Sequence, residues 1–132
     1  MAGESVLPIQ ESPDLLSTIV VPCGSTGGVV VDDQFLFYAE KDTVIDAAWC
    51  IFGVNDADAT LKLTTAASGA IASGTDLTSA LAISGTAGTP VEFTITETAN
   101  LIPSGSWVGM EITGTSTASE MVIQLRIRQK IR

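Results

Sequence analysis

Period-two alternation governs this chain. It is cleanest at the C-terminal end, where Met121, Ile123, Leu125 and Ile127 fall on one face and Gln124, Arg126, Arg128 and Lys130 on the other. Successive side chains of a strand point to opposite sides, so the pattern predicts a strand with one row in a core and a cationic row outside it. The charge distribution sharpens this. Residues 1–120 hold all fifteen acids against Lys41 and Lys62, a formal charge of −13, while residues 121–132 carry +4.

The same period recurs upstream. Ile19 and Val21 alternate with Thr18 and Val20 ahead of Pro22, and Gly24, Gly27 and Gly28 supply a turn. A second apolar stretch runs from Gly28 to Ala39, with a bend expected at Asp32 and Asp33. From Val44 to Val54 both faces are apolar, Ile45, Ala47, Trp49 and Ile51 on one and Val44, Ala48, Cys50, Phe52 and Val54 on the other. That reads as a strand covered on both sides and places Trp49 in the core. Asn55, Asp56, Ala57 and Asp58 read as a turn before Leu61 and Leu63.

Between residues 59 and 118, 37 of 60 residues are Thr, Ser, Gly or Ala, yet the pattern inside is ordered. Val91, Phe93 and Ile95 alternate with Glu92, Thr94 and Thr96, and Val108, Met110 and Ile112 repeat the motif between glycines. Short strands are further expected at Ala70 to Ala72 and Leu77 to Ile83. About eight strands divided by Gly, Ser, Asn and Asp turns predict an all-β, single-domain antiparallel β-sandwich of jelly-roll type. Residues 16–132 would form it. Residues 1–15, with Pro8 and Pro13, read as an extended segment, either a frayed terminus or an arm that lies on a neighbouring subunit through Val6, Leu7 and Ile9.

At 132 residues the chain is one domain of ordinary size. Its 45% hydrophobic and 16% charged residues leave apolar surface to cover, which makes a homo-oligomer the expectation. A pI near 4.1 argues against nucleic acid as a partner. The opening Met-Ala-Gly-Glu-Ser has the character of no signal peptide, and no apolar run approaches membrane-span length, so synthesis in a cytoplasm and no membrane partner are expected.

Histidine is absent, which removes the usual general base and the commonest zinc ligand. No enzyme activity and no cofactor are expected. Cys23 and Cys50 read as small buried hydrophobes of a reducing compartment rather than a disulfide. Asn55, Asp56 and Asp58 could offer oxygens to Ca²⁺, but no EF-hand loop is present and an Asn-Asp turn is the ordinary reading. Trp107 shares a face with Gly109 and Glu111, opposite the core row. It is either capped by its own loop or, with Glu111, Arg126, Arg128 and Lys130, part of a contact surface. The basic row has two readings as well: protection of a sheet edge, or docking to an acidic partner. Tyr38, Trp49 and Trp107 could form a sugar-stacking platform.

From Val44 to the C-terminus the chain resembles the small β-sandwich virion proteins of tailed bacteriophages, of the capsid decoration or cement type. The likeness rests on Ala-Thr-Leu-Lys-Leu at 59–63, Gly-Ala-Ile-Ala-Ser-Gly-Thr-Asp-Leu at 69–77, Thr-Ala-Gly-Thr-Pro-Val-Glu-Phe-Thr-Ile at 86–95, Leu-Ile-Pro-Ser-Gly-Ser-Trp-Val-Gly-Met-Glu-Ile-Thr-Gly-Thr at 101–115, and the final strand. Ser106 stands where such proteins carry an acidic residue. The resemblance implies a homotrimer on the surface of the virion, bound to the major capsid protein, with residues 1–15 as a docking arm. The alternatives are a carbohydrate- or receptor-binding module of a fibre or cell surface, and a head-tail or baseplate subunit.

Overall fold

The computed structural model describes residues 14–23, 33–54, 56–84, 86–114 and 120–130. Two antiparallel sheets pack face to face. The first contains β1 (Asp14–Cys23), β3 (Thr43–Ile51), β7 (Val91–Glu92), β8 (Leu101–Ile102) and β10 (Met121–Lys130), in the order β1-β10-β3-β7 with β8 also on β3. The second contains β2 (Gln34–Ala39), β4 (Asp56–Ala66), β5 (Thr75–Asp76), β6 (Leu81–Ile83) and β9 (Ser106–Thr113), in the order β2-β9-β4-β5 with β6 also on β4. The sandwich is therefore as expected, with ten strands among the described residues.

The core is the sum of the inward rows. Met121, Ile123, Leu125 and Ile127 of β10 meet Val108 and Met110 of β9 and Leu61 and Leu63 of β4, all at most 2% exposed. Burying a large aliphatic side chain is worth roughly 1.5–3 kcal/mol, so these rows dominate the stability. The threonine-rich segment is ordered through its hydroxyls. Thr64 Oγ1 donates to the Ile71 carbonyl at 3.1 Å, Thr65 Oγ1 to the Trp107 carbonyl at 2.7 Å, and Thr78 Oγ1 accepts the Leu63 N–H at 3.1 Å. Each buried hydroxyl is thus partnered, which its burial requires.

The structure departs from the sequence reading at six places. The last strand is central, because β10 inserts between β1 and β3. Residues 56–58 begin β4 rather than close a turn, and β4 absorbs three residues between its pairings Asp56↔Ile83 and Thr60↔Ala82. Ile71–Ser73 forms a 3₁₀ turn where a strand was expected, seating Ile71 on Gly109. β7 ends at Glu92, yet Phe93 N–H still donates to the Ala48 carbonyl at 2.8 Å and Ile95 bridges Thr78. β1 takes in residues 14 and 15, assigned to the arm; Val6, Leu7 and Ile9 lie outside the described residues, as do the glycine turn after Cys23 and the Asp56 and Asp58 side chains.

The sixth concerns Trp49. Arg126 pairs with Ala47 and Ile127 with Ile45, so Asp46 is an extra residue in β3, a bulge. Strict alternation would put Ile45 and Trp49 on one face. The bulge separates them: Ile45 is fully buried, and Trp49 lies half-buried on the outer face beside Asp46 and Ile51.

Candidate docking surface

The outer face of the first sheet is built from three long strands. β10 contributes Val122, Gln124, Arg126, Arg128 and Lys130; β3 contributes Val44, Asp46, Trp49 and Ile51; β1 contributes Leu16, Thr18 and Val20. The row expected to be cationic is answered at Arg128 from within the chain. Arg128 Nε lies 3.0 and 2.9 Å from the two carboxylate oxygens of Asp46, which the bulge pushes toward it. Lys130 donates its backbone N–H to the Asp42 carbonyl at 2.8 Å and lines, with Glu40, Lys41, Asp42 and Ser104, a depression of about 270 Å³.

Arg126 is different. It is exposed, and its guanidinium carbon stands 5.4 Å from the centroid of the Trp49 ring, within cation-π range. Trp49 in turn forms, with Ile51, Pro90 and Gln124, a shallow hollow of about 130 Å³. Ligand pockets run to about 300 Å³ and more, so this hollow suits one inserted side chain of a partner rather than a small molecule. Val20 and Leu16, 56% and 69% exposed, continue the apolar surface across β10 onto β1.

The edge-protection reading of the basic row is overturned, because β10 has a hydrogen-bonded neighbour on each side. Nor do the sequence-selected residues form one patch. Trp107 and Glu111 lie on the outer face of the second sheet, across the sandwich from Arg126, Arg128 and Lys130. Glu111 makes an ion pair with Lys62 at 3.7 Å, and Asp76 approaches the same Nζ at 3.1 Å; hydrogen bonding to Asp76 holds the Lys62 pKa above its ordinary value.

No family model, curated protein or solved structure matches this chain.

Trp107 is 9% exposed and covered by its own chain. Gly74 packs on the far edge of its indole, and Phe35 meets it edge-on, with centroids 5.3 Å apart at 77°. Its Nε1 is buried without a hydrogen-bond partner. What that face offers to solvent is Phe35 and Tyr38, 60% and 63% exposed. The three-ring platform is not assembled, since Trp49 belongs to the opposite face.

Sequence reasoning missed Phe35, Val20 and Leu16 as surface groups. Leu36 and Phe37 both turn to the core at a bulge in β2, which alternation cannot anticipate. Cys23 and Cys50 are free and buried, as expected. Burial pushes the Cys23 thiol up to about 11 and the Cys50 thiol up to about 12, the latter aided by neighbouring Cys23.

Proposed function

We propose that this chain is a non-enzymatic structural virion protein that binds and stabilises an assembled viral capsid, as decoration proteins do, and that it docks through the outer face of the first sheet. The observation that carries the reading is the Arg126–Trp49 pair beside exposed Val20 and Leu16. Interfaces are enriched in tryptophan and arginine at their centres, and an exposed guanidinium over a ring keeps its N–H donors available to an acidic or carbonyl-rich partner surface. The phage-protein resemblance supplies the partner, the major capsid protein, and the trimeric state. Repetition on a capsid lattice converts weak single contacts into stable occupancy.

The test is reconstitution. Purified protein added to capsids lacking it should bind to saturation and raise their resistance to heat and osmotic shock, and Trp49→Ala should abolish both. Capsids that neither bind it nor gain resistance would overturn the reading.

Exposed Phe35 and Tyr38 favour a second reading, a glycan-binding module acting through the opposite face. Binding on a glycan panel that is lost in Tyr38→Ala would support it, and a negative panel would remove it.

A further inference from the structure

The first sheet ends at β1, and among the described residues no strand pairs with its outer side. Such an edge presents free backbone donors and acceptors, which proteins ordinarily protect by shortness, charge or a bulge. The other edges here are protected in those ways. β7, β8 and β5 have two residues each and β6 has three. β2 has six, is broken by its bulge, and is flanked by Asp33 and Glu40. β1 runs for ten residues in unbroken register and carries no charge from Leu15 to Cys23, in a chain of net charge −9. Leu15, Leu16 and Val20 along it are 55%, 69% and 56% exposed.

We infer that β1 pairs edge to edge with β1 of a second copy, antiparallel about a two-fold axis through Thr18, joining the two first sheets into one continuous sheet. A two-fold axis perpendicular to a sheet keeps each residue on its own face, so opposed residues must share parity. The axis at Thr18 sets Leu16 opposite Val20 of the second copy on the outer face, and Leu15 opposite Val21 on the inner one. The hydroxyl residues Ser17 and Thr18 fall at the centre. The neighbouring registers are worse. An axis at Ser17 places Leu16 against Thr18 and Val20 against Asp14; an axis at Ile19 places Val20 against Thr18 and Leu16 against Pro22.

The chosen register also leaves Pro22, which has no N–H to give, opposite Asp14 beyond the seven-residue ladder of 15–21. Charge points the same way. Like-charged copies approach most easily where neither carries a charge, and β1 is such a strip. The partner is thus a second copy of this chain, and the inference does not depend on what the Arg126 face binds.

Sedimentation and native mass across a range up to millimolar chain provide the test. The expected species is a dimer of the 13.6 kDa chain, or a hexamer if three-fold contacts also operate. Val20→Lys and Leu16→Glu, both at exposed positions, should each weaken the two-fold contact about tenfold with thermal unfolding unchanged. Combined, the substituted side chains oppose each other across the ladder, so the double variant should regain the affinity. Thr18→Cys should link to its copy on mild oxidation, whereas Ser79→Cys, exposed and far from β1, should not. A monomer at every concentration, or an odd oligomer untouched by Val20→Lys and unlinked in Thr18→Cys, overturns the inference. A monomer would also remove the trimeric state from the proposed function, but capsid binding itself is scored separately, on capsids and on Trp49→Ala.

Discussion

Arg128 grips Asp46 through one nitrogen, Nε, set 3.0 Å from one carboxylate oxygen and 2.9 Å from the other. The contact exists because the bulge inserts Asp46 into β3 opposite the step from Arg126 to Ile127. A local irregularity therefore does two things at once. It supplies the acid that neutralises one cation of β10, and it turns Trp49 outward to meet the next one.

Arg128→Glu should accordingly lower stability by about 1 kcal/mol, since it removes a partly exposed ion pair and sets two carboxylates together. Asp46→Ala should cost less than about 1 kcal/mol, and Asp46→Ala combined with Arg128→Glu should recover most of the loss. Urea titration of the four proteins checks this. The interaction is screened, so the difference should shrink in high salt.

Arg126 answers to a different partner and should behave differently. Arg126→Ala should cost about 0.5–1 kcal/mol, the worth of an exposed cation-π contact, and should expose the Trp49 ring. Fluorescence emission should move to the red. Arg126→Lys should restore the charge without the flat stacking surface, so stability should recover only in part. In Trp49→Phe the spectral response to Arg126→Ala should vanish, because Trp107 is enclosed elsewhere.

The inward row of the last strand was legible because alternation and burial are the same fact seen twice: Met121, Ile123, Leu125 and Ile127 face the core as their period requires. The place of that strand was not. Pairing of β10 joins residues 98 to 116 positions apart on β1 and 71 to 86 apart on β3, and nothing local in Arg126 or Arg128 records which strands will flank them. The two bulges were hidden for a related reason, since Asp46 and Leu36 break a period that the flanking residues keep in sequence. For Trp107 there was a signal. Gly109 lies two residues further along the same face, and a missing side chain beside a large one marks where another element comes down, as Ile71 does.

That cover gives a third prediction. A Cβ on Gly109 would stand 2.9 Å from Ile71 Cγ1, and one on Gly74 would stand 2.8 Å from Trp107 Cη2, both closer than side chains tolerate. Gly109→Ala and Gly74→Ala should each destabilise by about 1–3 kcal/mol through overpacking. Trp107→Ala should cost about 3–5 kcal/mol, like other large aromatic truncations in packed sites. Calorimetric midpoints will rank them. Gly88→Ala meets no neighbouring atom, but at φ +76 it pays for backbone strain, so its smaller loss should separate conformational cost from steric cost.

The two cysteines make stability fall in alkali. Both lie on inward rows with β10 between their strands, and two strand spacings of about 4.8 Å hold their backbones beyond disulfide reach. In the unfolded chain the thiols ionise near their ordinary 9.0, whereas burial holds them to about 11 and about 12 in the fold. Below pH 9 both states are protonated and the thiols add no pH dependence. Above it the unfolded chain releases protons that the folded chain keeps, so unfolding gains about 1.4 kcal/mol per pH unit for each thiol. The decline should run from pH 9 to about 11 for both and continue to about 12 for Cys50 alone. Denaturation midpoints from pH 8 upward should therefore fall more steeply in the wild type than in a Cys23→Ala, Cys50→Ala double variant. Equal slopes would mean that the thiols reach solvent before the sandwich opens. Alkylation at neutral pH gives an independent check: both thiols should react only after denaturant unfolds the two sheets.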